Sequence, residues 1–430
     1  MKSAWWRKQG AMFRFTPIAA GKSLNELAEK LPALADAGIG VIEILPPCHG
    51  GSEYFGLDTI DFYQVHPGAG TLDDMRAFIA AAHRLGMKII ACVNAGYCAV
   101  NHPDFIKACG DVKNGRESRE RNFFLWSDEK RRMEAPLSPF FLQDADGEWV
   151  YNGEAEKYFW CKWFGFKGDV RLPQYWFGSR EFQDECKKMI RYWLTIGFDG
   201  LMLDAVNWYI DCDWDINRRV IVEPAFSDGP VWLMPEGGGG FNDDPLEWIT
   251  KGGYNCVQDY SLGIWWEKTD LIHEALETGD ASKIPPALMR CRNRVVEAGG
   301  VTYVGKEMRP DYAVFETAFL IAAGEMISYY HDGVDADFPE GVSTLFRLQA
   351  EYPALAPGGR REFLEHDCGG GVLAFRCIPE DGGGTIVHAV LNFSAQARAV
   401  NIAGVPQCRE LGGRSFVFTK EPGEVIFAGQ

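Results

Sequence analysis

The sequence predicts a (β/α)₈ TIM barrel, with a small inserted domain after its third strand and a C-terminal antiparallel β-sandwich domain. Three observations predict it. Short β-type runs alternate with amphipathic helices through the first two-thirds of the 430 residues, as in a parallel sheet. There are eight such runs, which favours a closed barrel over an open doubly wound sheet. From about Gly358 onward, strands separated by glycine turns replace that rhythm, as in antiparallel pairing.

The eight strand candidates are Ala11–Phe15, Val41–Leu45, Lys88–Val93, Gly200–Asp204, Val231–Pro235, Cys256–Asp259, Val301–Val304 and Met326–Tyr329. Ser23-Leu24-Asn25-Glu26 and Thr71-Leu72-Asp73-Asp74 mark helix starts. In each, a hydroxyl can take the third amide of the helix while the acid reaches back to the amide of the hydroxyl residue itself. One connection is too long for a simple loop. Between the third strand and a helix near Arg180 lie about 80 residues with little helical period, rich in Trp, Phe, Tyr, Asp and Pro, which predicts a domain of its own. The expected division is residues 1–100 and 168–357 for the barrel, 101–167 for the insertion and 358–430 for the β domain. In the last, Gly369-Gly370-Gly371 and Gly382-Gly383-Gly384 flank the runs Val372–Arg376 and Thr385–Asn392.

Bulk chemistry narrows the function. A formal charge of −17 repels nucleic-acid backbones and acidic membrane surfaces, so neither is an expected partner. No run approaches the roughly 18 apolar residues of a membrane span, and Met1-Lys2-Ser3-Ala4 opens no signal peptide, so the expected compartment is the cytoplasm. Many of the 12 cysteines sit in apolar runs, such as Cys92 in Ile89-Ile90-Ala91-Cys92-Val93. They read as reduced structural thiols. No cofactor is expected: Gly237-Gly238-Gly239-Gly240 lacks the spacing and helix of a phosphate-binding loop.

In such a barrel, function collects at the C-terminal strand ends. Asp204, Glu236 and Glu307 close the fourth, fifth and seventh strands. Three acids converging on one mouth repel one another and suit the acid-plus-nucleophile chemistry of glycosidic cleavage. Solvated acids that merely end strands are the competing explanation. Spacing alone leaves both open.

A resemblance adds to this. The chain resembles the α-amylase family in Trp5-Trp6-Arg7-Lys8 before a strand, Leu45-Pro46-Pro47, Tyr54-Phe55-Gly56-Leu57-Asp58 and Gly70-Thr71-Leu72-Asp73-Asp74. Gly197-Phe198-Asp199-Gly200-Leu201-Met202-Leu203-Asp204 is similar to the fourth-strand motif. Tyr352-Pro353-Ala354-Leu355 and Val390-Leu391-Asn392-Phe393-Ser394 resemble the last helix and C-terminal domain. The likeness runs in family order and is closest to the oligo-1,6-glucosidase and trehalose-synthase-like branches. It implies Asp204 as nucleophile, Glu236 as general acid/base, and Glu307, one methylene longer, in place of a hydroxyl-gripping aspartate.

Several motif positions depart from the family. Met202 replaces an arginine two residues before the nucleophile and shares a strand face with Asp204. Cys92, Gly96 and Tyr97 replace the third-strand aspartate and asparagine-histidine pair. Leu57 replaces a stacking tyrosine, Tyr54 a hydroxyl-binding acid, and Lys306 the seventh-strand histidine. Met202, Lys306, Tyr97 and Tyr54 are therefore candidate substrate-binding residues, joined by Trp208 and Tyr209, which lie a few residues past the nucleophile and read either as a pocket wall or as packing for the following helix. Tyr158-Phe159-Trp160, Trp163-Phe164 and Trp176 read either as a sugar cleft or as the insertion's core. No structural calcium is expected, since Ile18-Ala19-Ala20-Gly21-Lys22 and Gly96 stand at the usual ligand positions. The expected function is a retaining glycoside hydrolase or transglycosylase acting on an α-linked or modified glycoside of unusual specificity. A non-catalytic sugar- or partner-binding relative is one alternative, and a sugar isomerase or lyase-like enzyme using the same acids is another.

Overall fold

A computed structural model describes residues 4–51, 54–130, 148–163, 171–206, 214–236, 244–264, 269–306, 311–329, 338–402, 405, 410–421 and 423–430. Eight strands form one parallel sheet: β1 (Ala11–Phe15), β2 (Val41–Ile44), β3 (Lys88–Val93), β4 (Gly200–Leu203), β5 (Trp232–Pro235), β6 (Cys256–Gln258), β7 (Val301–Lys306) and β8 (Met326–Tyr329). All eight expected strands are present, each within one or two residues of its expected bounds. They pair in the order β5-β4-β3-β2-β1-β8-β7-β6. A side chain stitches the two end strands: Asn255 accepts from Leu233 N at 2.9 Å and donates to the Val231 carbonyl at 2.7 Å.

The two-residue period of a strand divides the buried residues into two sets. Met12, Val41, Ile90, Cys92, Met202, Trp232, Met234, Cys256, Val301, Tyr303 and Met326 pack together inside the barrel. Their strand neighbours, such as Phe13, Ile42, Ala91, Leu201, Leu233 and Ile327, join the larger cluster under the helices. Trp5 packs edge-on against Trp232 at 5.4 Å, so the opening Trp5-Trp6 motif packs on the barrel's interior set.

Both expected capping boxes form. Ser23 and Glu26 exchange hydrogen bonds before Leu24–Ala28, and Thr71 and Asp74 do so before α1 (Leu72–Arg84). The long connection after β3 differs from expectation in opening with a helix, α2 (Pro103–Lys113). Gly110 and the buried Asp111 interrupt its apolar face, which hides the helical period. An antiparallel sheet follows, in which Lys157–Trp163 pairs with Glu148–Asn152, Trp126–Ser127 and Leu172–Pro173. α3 (Arg180–Ile196) then returns the chain to the barrel.

The C-terminal strands Arg360–Phe363, Val372–Ile378, Val387–Asn392, Ser415–Lys420 and Glu424–Gly429 form one antiparallel sheet. One face packs on α4 (Ala313–Ala323), with Phe315 and Phe319 at 4.9 and 5.6 Å from Phe393. The other buries Val372, Ala374, Val390 and Val417 under Val400, Ile402 and Leu411. Ten described cysteines are free thiols, nine of them buried. Among the described residues, no helix is long and apolar enough to cross a membrane.

Candidate active site

The residues just before Asp204 explain how it reaches the barrel mouth. α3 ends at Gly197, whose φ of 125° disfavours any side chain. A Cβ on Gly200 would stand 2.3 Å from the Trp232 carbonyl oxygen, so a glycine lets β4 lie against β5. Between them, the Asp199 carboxylate accepts from Ile89 N at 3.0 Å and pairs with Lys88 at 2.6 Å and His83 at 2.7 Å. This anchors β4 beside β3. Leu201 and Leu203 then face the helices, while Met202 faces the barrel axis. Asp204, two residues on, shares the face of Met202.

Asp204 and Glu236 end neighbouring strands. Asp204 N donates to the Val93 carbonyl at 3.0 Å, and Glu236 N to the Leu203 carbonyl at 2.9 Å. The two carboxyls lie close enough for each to act on the other. Asn94 Nδ2 donates to Asp204 Oδ2 at 3.1 Å and to its carbonyl at 3.3 Å. The Ala205 amide donates to Glu236 Oε2 at 2.6 Å. Burial, which penalises the charged form, holds both carboxyls above their usual range. The Glu236 charge pushes Asp204 further up, against the pull of Asn94 and Arg14, while the Ala205 amide and Arg14 restrain Glu236.

A second charged pair lies in the same barrel. Arg14 Nε donates to Glu43 Oε2 at 2.7 Å and its Nη2 to Oε1 at 3.0 Å; both residues are buried, and both face the axis two positions after Met12 and Val41. β1 and β2 put the two residues directly opposite. The fork geometry satisfies both charges away from water. Sequence reasoning missed Arg14, Glu43 and Asn94. A charged residue within Ala-Met-Phe-Arg-Phe or Val-Ile-Glu-Ile, at inward parity, was the available signal.

Met202 is 1% exposed, with its Sδ 3.5 Å from Cys92 Sγ. Tyr97, 4% exposed, and Leu57, 5%, belong to the same apolar cluster. The structure thus brings Asp204, Glu236, Met202 and Cys92 together, with Tyr97 and Leu57 packed on the interior set rather than open to solvent. Lys306 ends β7 opposite Tyr329, and Tyr54 begins a short turn; both side chains lie outside the described set. Glu307, Trp208, Tyr209 and Gly237–Gly240 lie outside the described residues. Of the aromatic group, Phe159 and Trp160 are buried and Trp176 is exposed. Phe105, Phe124 and Phe159 meet ring to ring at about 5 Å, which makes this part of the group a core. Among the described residues, no group of three or more His, Cys, Asp or Glu could hold a metal ion.

Comparison with known proteins places this geometry in context. Residues 16–231 match the family described as alpha amylase, catalytic domain. Trehalose synthase/amylase TreS of Mycobacterium tuberculosis is 28% identical over 188 residues, 44% of this chain and 30% of that protein. Maltase A1 of Drosophila melanogaster is 26% identical over 235 residues, 52% and 39% of the two chains. The chain therefore spans well under half the length of these relatives. Among solved structures, Amy13B of Eubacterium rectale superposes with a TM-score of 0.73 at 16% identity, covering 97% of this chain and 96% of that one. Cyclic α-maltosyl-(1→6)-maltose hydrolase of Arthrobacter globiformis gives 0.71 at 15%, covering 98% and 100%. At such identities the likeness is one of fold.

Proposed function

The chain belongs to the α-amylase family, and from that premise we propose that it is a retaining glycoside hydrolase or transglycosylase of atypical specificity. One observation carries the reading: Asp204 and Glu236 follow directly on the paired residues Leu203 and Pro235 of neighbouring strands, and the Ala205 amide beside Asp204 donates to Glu236 Oε2 at 2.6 Å, which keeps the two carboxyls close. Inverting chemistry needs about 6.5–9.5 Å between its acids to admit a water, whereas retention needs only about 5–5.5 Å. In the first step an Asp204 oxygen bonds to the anomeric carbon as the glycosidic C–O bond breaks, and Glu236 gives its proton to the leaving oxygen. In the second, the Glu236 carboxylate takes a proton from water or an alcohol, whose oxygen displaces Asp204.

The pocket chemistry argues for an unusual ligand. Met202, Tyr97 and Leu57, packed into the apolar interior set, stand where hydroxyl-binding groups would serve a glucoside. Each hydroxyl buried without a partner costs about 1–3 kcal/mol, so two or three cut turnover by orders of magnitude. A glycoside with fewer free hydroxyls, or one carrying an anion for Lys306, suits this site better. The test is a panel of starch, maltose, sucrose, isomaltose and trehalose beside less polar and charged glycosides, each with Asp204→Asn as control. The expected result is Asp204-dependent turnover confined to the second group. Brisk Asp204-dependent cleavage of maltose or starch overturns the specificity, and no turnover on any glycoside favours a non-catalytic relative.

A further inference from the structure

Met202, the residue that shares the barrel face of Asp204, is an uncharged thioether packed on Cys92. Half-buried acids side by side are pushed toward their protonated forms, and a nearby cation is what favours an ionised nucleophile. The cation is present, but it comes from the opposite side of the barrel. Arg14 acts on both Asp204 and Glu236, and Arg14, Glu43, Asp204 and Glu236 all act on the buried Cys92 thiol. The ion pair and the acid pair therefore flank the same sulfur contact.

We infer that Arg14, clamped by Glu43, is a positioning residue that orients a positive charge from β1 toward the Asp204–Glu236 pair. The inference rests on the hydrolase reading for its consequence in turnover, but not for its electrostatics. The clamp matters because a long guanidinium free to turn would point its charge at no fixed place. Bidentate contact with Glu43 fixes it, and Glu43, which alone would push Glu236 upward, is neutralised by the same contact. The other described groups near the pair are Cys92 and Asn94 on and just after β3, and Tyr303 on β7. Tyr303 donates to the Pro235 carbonyl beside Glu236 at 2.9 Å. None of these carries a positive charge.

The test separates the electrostatic role from a structural one by sign. The carboxyl titration of the acid pair is followed by pH-difference infrared spectroscopy, with bands assigned through Asp204→Asn and Glu236→Gln. Arg14→Gln leaves Glu43 unpaired and is expected to move the titration up by about one pH unit or more, whereas Glu43→Gln frees the cation and moves it down. Arg14→Lys restores the wild-type direction. Arg14→Gln/Glu43→Gln, which keeps a neutral hydrogen-bonded pair, gives a smaller shift than either single change. Shifts in one direction for both single variants, or none in folded protein, overturn the inference; if Arg14→Gln does not fold, an unmoved or upward Glu43→Gln titration does so alone. With a turned-over glycoside in hand, kcat falls in Arg14→Gln and recovers in Arg14→Lys with KM little changed. A wild type that cleaves no glycoside removes the hydrolase reading and leaves the titration as the deciding result.

Discussion

The amide of Ala205 points at the Glu236 carboxylate, 2.6 Å away, from a residue whose φ of 49° is left-handed. The chain turns there immediately after Asp204, and the turn is what aims the N–H across to the next strand. Left-handed backbone at a non-glycine residue costs roughly 1 kcal/mol or more, and such strain gathers at functional sites. The two acids of the site are thus linked through backbone.

Substitutions at Ala205 should separate strain from contact. Ala205→Gly relieves the strain but loosens the unfolded chain, and the two effects nearly cancel, so its melting temperature is expected to stay close to wild type. Ala205→Val puts a β-branched side chain into a left-handed and buried position. It should destabilise by about 1–3 kcal/mol in urea denaturation. Equal stability of the valine variant would count against the strained turn.

Asp199 ties the approach of β4 to β3 through one amide, the Lys88 ammonium and the His83 ring. Asp199→Ala removes all three partners and leaves the Ile89 amide without its acceptor. The expected loss is about 1–3 kcal/mol, and Asp199→Asn, which can still accept from Ile89, should lose less. An alanine variant as stable as wild type would mean that these contacts are made equally well by water.

Much of this architecture was legible in the sequence, and what was hidden had a physical reason. Short apolar β-type runs at Ala11–Phe15 and Lys88–Val93, and the hydroxyl-acid spacing at Ser23 and Thr71, are local signals and mark their elements directly. Asp204 and Glu236 were legible because strand ends and family motifs coincide there. The Arg14–Glu43 clamp was not, because it depends on the register of β1 against β2, and each charge alone looks like an anomaly in an apolar strand. Nor was the role of Asn255, since a side chain replaces backbone pairing only where two particular strands meet at the barrel seam.

Another hidden cluster predicts how stability varies with pH. Glu325 is fully buried, and burial, with the nearby Asp259 charge, pushes its carboxyl from 4.5 up to about 8, although Thr302, Arg292 and Arg361 pull the other way. The folded protein thus keeps a proton that the unfolded chain releases. Its contribution is fully present below about pH 4.5 and is lost as pH rises toward 8, at up to about 1.4 kcal/mol per pH unit for one proton. Glu325→Gln should flatten the fall of urea midpoint across that window. An unchanged slope would show that Glu325 is charged in the folded state.

The strongest expectation joins stability to chemistry at Asp204. Its folded carboxyl is held above the usual range by burial and by Glu236, so the sign is again that of a raised acid: stability is complete at low pH and declines as pH rises. Asp204→Asn cannot ionise and so escapes that decline. The amide also fits the existing contacts, since its oxygen can accept from Asn94 Nδ2 and its nitrogen can donate to Glu236. The variant should therefore melt at or above the wild-type temperature, with a gap that widens from pH 5 to pH 8 to about 2 °C or more. It should also lose all turnover, because an amide cannot form the glycosyl ester. A mere packing residue would give the opposite pattern, lower stability at every pH with activity retained. Differential scanning calorimetry at the two pH values, run beside an assay on any glycoside the wild type cleaves, decides between them.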